Sequence, residues 1–305
     1  MSYVTSCPPL ERGSGLWRDR PQTDTKQATR TTPKRYLGAV DLELAGKAAI
    51  VTGGSRGIGK AIARALAQEG VDVAIAARSQ APLEEAAAEL AAETGRRVVP
   101  IVADTGRTSA VEALVAAAVR ELGGLDILVN NAARPGGGGP IPGIEGVTDE
   151  NFAEEMNTKV LGYLRCARAV APLFKERGWG RIINVSGLAA RQSGTAIGSM
   201  RNVAVAALTK NLADELGPHG INVTVVHPGL TWTERMPAMM EQRAAEQGIS
   251  VEEAKEQASQ GNAVRQIIDA RDVANVVAFL ASPKSIAIQG DTIAAGGGVG
   301  RAIHY

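Results

Sequence analysis

Short apolar runs alternate with amphipathic stretches along the chain from about residue 41 onward. A strand buried on both faces of a sheet is apolar at nearly every position, whereas an amphipathic helix repeats its apolar residues every three or four positions. Alternation of the two patterns predicts a parallel sheet with helices on both faces. The predicted strands are KAAIVT, VDVAIAA, RVVPIVA, LDILVN, RIINVS, INVTVVH and DTIAA, and the predicted helices are 58–69, 82–93, 108–121, about 148–177, about 199–216, about 234–259 and 270–281.

Seven parallel strands joined by right-handed crossovers define the fold class. They predict an α/β, doubly wound Rossmann-type sheet in a single domain, with a ligand crevice at the carboxyl ends of the strands. The chain has 305 residues, of which 45% are apolar, and this is enough for one large buried core. We therefore assign residues 41–305 to one folded domain.

Residues 1–40 differ in composition from the rest of the chain. They are rich in Pro, Thr, Arg and Gln and show no sustained apolar periodicity. They lack the apolar run of a secretory signal, and Glu11, Asp19 and Asp24 count against a transit peptide, which is the alternative. We interpret the segment as an N-terminal extension that is flexible, or packs on its own domain or on a neighbouring subunit.

Charge and cysteine content exclude several classes of function. The 33 basic and 32 acidic residues nearly cancel, so no strong field attracts nucleic acid or an anionic membrane. No apolar stretch reaches the ~20 residues that a membrane-spanning helix needs. The two cysteines, Cys7 and Cys166, belong to no cluster with metal-ligand spacing. We therefore expect a cytoplasmic protein that acts on a small molecule and binds no metal, nucleic acid or membrane.

A glycine-rich loop, TGGSRGIG at 52–59, joins the first predicted strand to the first predicted helix. Glycine suits this place because the backbone turns sharply there and approaches a pyrophosphate held at the helix N-terminus. The position between strand and helix makes a dinucleotide site the favoured interpretation and a mere structural turn the alternative. The candidate cofactor-binding residues in the loop are Gly53, Ser55, Arg56, Gly57, Ile58 and Gly59.

Three motifs in this order, TGGSRGIG, LDILVNNAA and VVHPGLTWT, resemble the short-chain dehydrogenase/reductase family of classical type. The resemblance covers the chain from about residue 41 to its end. It implies a Rossmann domain that binds a dinucleotide and carries a catalytic site. The further cofactor-site residues that it implies are Asp104 at the adenine, Asn130 steadying the central strand, and Ala132 after it. Pro228 and Gly229 border the nicotinamide, and Thr233 lies near its carboxamide.

The end of the second predicted strand bears on the choice between NAD(H) and NADP(H). An acidic residue there would hydrogen-bond a ribose 2′-hydroxyl and repel a 2′-phosphate. The strand ends in AARS, without a carboxylate, and Arg78 and Arg56 offer guanidinium groups to a phosphate. The sequence therefore favours NADP(H) over NAD(H), although two solvated surface arginines would give the same pattern.

The catalytic motif that the resemblance implies is missing. Family members use a Tyr as proton donor, a Lys four residues later, a Ser and an Asn, with Tyr-x-x-x-Lys on the fifth helix. Tyrosine occurs here only at positions 3, 36, 163 and 305, and none of these opens that helix. We therefore expect a divergent active site.

Matching the chain to the family's pattern assigns a different residue to each of the four catalytic positions. Gly198 takes the place of the Tyr and Asn202 that of the Lys, where an amide still hydrogen-bonds ribose hydroxyls. Gly187 takes the place of the Ser. Lys159 takes the place of the Asn, or Asn157 does if the start of the fourth helix slips.

Four residues are candidates for a substitute chemistry: Lys159, His227, Asn202 and Ser186. Lys159 is a displaced ammonium whose pKa falls if it is buried, which suits an acid, a base or an imine-forming amine; exposure to solvent is the alternative. His227 lies at a strand end and is expected either to titrate near neutrality or merely to pack beside the cofactor. Strand alternation predicts that Ser186 points away from Gly187.

Three functions stay open. The first is an NADP(H)-dependent oxidoreductase that acts on a small carbonyl or alcohol with a non-standard proton donor. The others are a lyase, hydrolase or aldolase-like enzyme on the same crevice, and a cofactor-binding subunit without turnover. The segment 234–259 resembles the family's substrate lid. Pairing of the fourth and fifth helices predicts a homodimer or homotetramer, through the apolar rows Val160, Tyr163, Leu164, Ala167, Val205, Leu208 and Leu212.

Overall fold

The computed structural model describes residues 40–133 and 143–300, so residues 1–39 of the predicted extension lie outside the described residues. All seven predicted strands pair in parallel in one sheet, in the order β3-β2-β1-β4-β5-β6-β9. This is the doubly wound order that the alternation predicts. The strands are β1 Ala48–Thr52, β2 Asp72–Ala77, β3 Val98–Val102, β4 Ile127–Asn130, β5 Gly180–Val185, β6 Ile221–Pro228 and β9 Thr292–Ala295, and a separate short pair is formed by β7 Thr231–Trp232 and β8 Ile268–Asp269.

The helices follow the predicted order, with two differences. Their bounds are α1 Gly57–Gln68, α2 Gln80–Thr94, α3 Thr108–Leu122, α4 Asp149–Glu155, α5 Gly162–Arg177, α6 Ala196–Leu216, α7 Met236–Gln247, α8 Val251–Ser259 and α9 Ala270–Ala281.

The long helix predicted at 148–177 is divided. A π-helical turn, Met156–Leu161, separates α4 from α5. A π turn carries one extra residue in each hydrogen-bonded ring, and such turns are frequent at functional sites. This turn directs Lys159 inward, where the side chain is buried.

The segment predicted as one helix at 234–259 is two helices. Gly248 ends α7 in the left-handed region at φ 65°, and Ser250 starts α8 with a capping box to Glu253. A glycine followed by a cap is a common way to end one helix and begin the next.

Both faces of the sheet are covered. Helices α1, α2 and α9 pack on one face, and α3, α5 and α6 pack on the other. Strands β1 and β6 are buried at every position, as expected for central parallel strands. Pro100 lies in the edge strand β3, where its missing N–H costs no ladder bond to a second neighbour. No helix in the described ranges is long and apolar enough to span a bilayer.

Candidate functional site

Two adjoining cavities open at the carboxyl ends of the strands. The loop cavity, about 340 Å³, is bordered by the loop between β1 and α1 and by the ends of β2 and β3. The inner cavity, about 610 Å³, lies between the ends of β5 and β6 and the helices α6, α7 and α8. Ile58, Asn131 and Ala133 line both. The two cavities therefore form one continuous crevice at the place that the strand order predicts.

The glycine-rich loop fits closely against the first strands. A Cβ atom on Gly59 would lie 2.2 Å from the carbonyl oxygen of Gly53, and Gly53 itself adopts φ 69°. Ser55, Arg56 and Ile58 line the loop cavity together with these glycines. A side chain at Gly53 or Gly59 would therefore clash with the loop or with Asn131, so the turn requires glycine at both positions.

The N-terminus of α1 already holds an anionic group. The backbone N–H of Gly57 donates to the Glu234 carboxylate at 3.0 Å. A helix N-terminus favours anions because its first N–H groups have no partner within the helix. The carboxylate thus stands in chemically for the phosphate oxygens that the loop is expected to bind.

Two guanidinium groups border the outer end of the loop cavity. Arg56 and Arg78 are exposed, line this cavity, and form no ion pair with the residues that the structure describes. Ser79 follows Arg78, and Thr233 and Asp104 complete the lining predicted from the sequence. The end of β2 thus presents one cation and a hydroxyl, and the loop before α1 presents the second cation.

Two adjacent asparagines lie at the end of β4, and their side chains have different surroundings. Asn130 is fully buried, borders neither cavity, and donates to Asn184 Oδ1 at 2.9 Å, so it steadies the sheet. Asn131, which the prediction did not include, lines both cavities and donates to the carbonyl oxygens of Thr52 and Gly53. Ala132 lines the loop cavity beside it. The two adjacent asparagines in the sequence indicate this part of the crevice, but not which of the two side chains lines it.

Lys159 enters the inner cavity from the π-helical turn. Its side chain is 4% exposed, and Nζ donates to the carbonyl oxygen of Ser186 at 2.9 Å. Burial lowers the pKa of Lys159 to about 7, because a buried ammonium loses its hydration. The ammonium has two more N–H donors, for which the described residues supply no partner.

Ser186 and Asn202 lie beside Lys159 in the same cavity. Ser186 Oγ donates to Asn202 Oδ1 at 3.2 Å, and Gly187 lines the same cavity, so the prediction that Ser186 points away from Gly187 is wrong. Strand β5 ends at Val185, and alternation does not extend past a strand's end. The amide nitrogen of Asn202 faces Gly187, where an added Cβ would lie 3.1 Å away. Pro228 and Gly229 line the cavity opposite.

His227 is buried behind this group and does not border the inner cavity. Its Nδ1 accepts the N–H of Gly187 at 3.1 Å. Burial lowers the pKa of His227 to about 4, and repulsion from Arg191 acts in the same direction. Of the two alternatives for His227, titration near neutrality is therefore wrong and packing agrees with the structure, because the neutral imidazole is buried and hydrogen-bonded.

Other positions considered for catalysis lie away from the crevice. Asn157 donates to the carbonyl oxygen of Gly106 and its Oδ1 accepts from Arg165, outside both cavities. Gly198 lies in the first turn of α6. Tyr163 is buried with its hydroxyl donating to the Val185 carbonyl at 2.8 Å, and burial raises its pKa well above the ordinary value. Within 40–133 and 143–300, no tyrosine lines either cavity.

Several residues that line the cavities were not predicted from the sequence, because sequence patterns do not connect their helices with the site. Thr158 lines the loop cavity, and Arg201 on α6 and Arg243 on α7 line the inner cavity. An arginine on a helix with many charged residues has the same pattern whether it faces solvent or a cavity. Only the tertiary arrangement distinguishes the two places.

Comparison with known proteins finds a matching family and similar relatives. The model of the short chain dehydrogenase family matches residues 47–246. A dehydrogenase/reductase SDR family member 4 from Oryctolagus cuniculus is 36% identical over 258 residues, which are 84% of this chain and 94% of the relative.

Two solved structures share the fold. L-sorbose reductase from Gluconobacter frateurii, complexed with NADPH and L-sorbose, has a TM-score of 0.80 at 28% identity and covers 86% of this chain and 100% of its own. A variant of actinorhodin polyketide ketoreductase with NADPH has a TM-score of 0.76 at 32% identity, covering 82% and 96%. The order of the strands and the glycine-rich loop are consistent with these similarities. The chain belongs to the short-chain dehydrogenase family.

Proposed function

We propose that this protein is an NADP(H)-dependent oxidoreductase that interconverts a small carbonyl compound and its alcohol, with Lys159 as the proton donor. The observation that carries the proposal is a buried ammonium of lowered pKa in a cavity continuous with the loop cavity, where no described tyrosine is present. The names of the relatives, which are dehydrogenases and reductases, support oxidoreductase chemistry over a lyase or a hydrolase.

The residues of the loop cavity suit NADP(H). Gly53 and Gly59 allow the tight turn before α1, and the Gly57 N–H, now bonded to a carboxylate, is a donor for a pyrophosphate. Arg56 and Arg78 would hold the 2′-phosphate. The NADPH complexes of the two solved relatives support the same choice. When bound, the cofactor supplies the hydride.

The protein's own part in the reaction is to hold the carbonyl and supply a proton. The Ser186 carbonyl fixes Lys159 Nζ, so that its two other N–H bonds are free for the substrate oxygen. A pKa of about 7 suits proton transfer at neutral pH, because the ammonium is populated and gives up its proton readily. Asn202 replaces the family's lysine and would hydrogen-bond the ribose with its amide nitrogen.

Cofactor preference tests the first half of the proposal. NADPH should bind more tightly than NADH, and Arg78→Ala should remove about 1–3 kcal/mol of that preference, since a charge-assisted hydrogen bond is lost. Titration of cofactor fluorescence measures both affinities, and NADPH oxidation against a carbonyl panel measures turnover. Arg107→Ala is the matched control, because Arg107 is exposed just before α3 and outside both cavities.

Two results would contradict the proposal. Equal or tighter binding of NADH to the parent protein would remove the argument from Arg56 and Arg78. Tight NADPH binding without oxidation by any carbonyl compound would leave a cofactor-binding subunit or a non-redox enzyme.

We also propose that the protein forms a homodimer or homotetramer, but not through all of the apolar rows predicted from the sequence. Tyr163, Ala167 and Val205 are buried within the protomer. The exposed apolar residues of α4, the π turn and α6 include Leu161 at 43% and Val203 at 51%. Large exposed apolar side chains on adjacent helices mark an association surface.

Light scattering tests this assembly. The parent protein should give at least twice the monomer mass at micromolar concentration, and Val203→Asp should reduce it, because a charge in an apolar interface is costly. Phe279→Asp, a change of an apolar residue that is 40% exposed on α9, is the matched control and should keep the parent's mass. A monomeric parent would contradict the proposal.

A further inference from the structure

The inner cavity has an uneven charge. Lys159, Arg201 and Arg243 line it from three different elements, and none of the described lining residues is acidic. Arg201 forms an ion pair with Glu155 just outside the cavity, which neutralises it. Arg243 forms no ion pair with any residue of the described ranges. One guanidinium thus faces the cavity without a counter-charge.

The position of Arg243 separates it from the loop cavity. It lies on α7, which follows Thr233 and the short strand β7, and it lines the inner cavity but not the loop cavity. Gln257 of α8 also lines the inner cavity. A planar guanidinium and a neutral amide are the donors that suit a carboxylate.

Lys159 and Arg201 are less suited to hold an anion. Arg201 already pairs with Glu155, and Lys159 donates to the Ser186 carbonyl. Arg243 is half-buried at the wall of the cavity and has no ion-pair partner among the described residues, so its guanidinium is available to an anionic ligand.

We propose that the substrate is an oxo acid, with its carboxylate held by Arg243 and its carbonyl oxygen facing Lys159. This inference rests on the proposed oxidoreductase function and names the substrate class. A bidentate pair between guanidinium and carboxylate fixes orientation as well as affinity. Oxo acids should therefore be preferred over neutral ketones of the same size.

Matched pairs of substrates test the inference. The full chain is assayed with NADPH and with pyruvate, acetoacetate and levulinate, each against its methyl ester, which removes the negative charge and keeps the carbon skeleton of the oxo acid. We expect kcat/KM to favour the acid at least tenfold for one chain length. Arg243→Gln should lower kcat/KM for that acid at least tenfold, mainly through KM, and change the ester less than threefold, because only a charge-assisted pair is lost. Arg243→Lys should restore part of the loss.

Arg235→Gln is the control, because Arg235 is exposed immediately before α7 and lies outside both cavities. Preference for the esters, or an equal loss for acid and ester in Arg243→Gln, would overturn the inference. Weaker NADPH binding in Arg243→Gln with unchanged KM for the acid would also overturn it, and would assign the arginine to the cofactor.

A failure of the proposed oxidoreductase function can be distinguished from a failure of the proposed carboxylate site. If neither acid nor ester is reduced, binding of levulinate to the complex with NADPH is measured by calorimetry. Binding that is lost in Arg243→Gln would support the carboxylate site while contradicting the oxidoreductase. No binding of levulinate, pyruvate or acetoacetate would overturn the site itself.

Discussion

Lys159→Met should lower kcat for NADPH-dependent carbonyl reduction by about 10²–10⁴-fold, the usual contribution of a positioned general acid. Methionine keeps much of the side-chain volume but carries no proton. Affinity for NADPH, measured by fluorescence titration, should change little, since Lys159 lines only the inner cavity. A loss of turnover with retained binding would identify Lys159 as a group that acts on the substrate.

The pH dependence gives a second test of the same residue. The protonated ammonium is the active form, so kcat/KM should fall about tenfold per pH unit above the Lys159 pKa of about 7. In Lys159→Met that fall should be absent from the residual activity. Asn157→Ala is the control, because Asn157 lies only two residues away but outside both cavities. A greater loss in Asn157→Ala than in Lys159→Met would return the catalytic role to the asparagine.

Much of the fold follows from local pattern. Short apolar runs predicted all seven strands of the sheet, including the partly buried edge strands β3 and β9. The loop at 52–59 was recognisable because close backbone packing leaves no room for side chains at Gly53 and Gly59. Such features depend on neighbours in the chain, which a sequence displays directly.

The chemistry of the inner cavity depends on distant residues. The pKa of His227 is set by burial and by Arg191, which is not its neighbour in sequence. Lys159 points inward because it lies in a π turn, and the positions of apolar residues along the sequence do not reveal such a turn. Arg243 joins the cavity only because α7 and α8 fold over it. Sequence reasoning therefore found most elements that build the crevice but not all of the side chains that face it.

Lys159 should also make the stability of the protein depend on pH. Its pKa is about 7 in the folded protein and 10.5 as the ordinary value, so the unfolded chain binds the proton more tightly. Above about pH 10.5 the Lys159 side chain is neutral in both the folded and the unfolded protein, so its burial carries no penalty for a charge. As pH falls from there to about 7, the unfolded chain is protonated first and the folded state loses stability. Below about pH 7 both states are charged and the penalty stays constant.

Lys159→Met removes this penalty, which should make the variant gain stability relative to the parent as the solution is acidified. The two pKa values imply a relative gain of roughly 2–3 kcal/mol in the free energy of unfolding between about pH 9 and pH 6. Urea unfolding at the two pH values measures the gain, and pH effects of other groups cancel between variant and parent. Lys210→Met is the control, since the exposed Lys210 pairs with Asp214 on the surface, so its difference should be small at both values. An equal difference at both pH values for Lys159→Met would mean that the ammonium keeps its ordinary pKa, and a buried proton donor at this position would then be excluded.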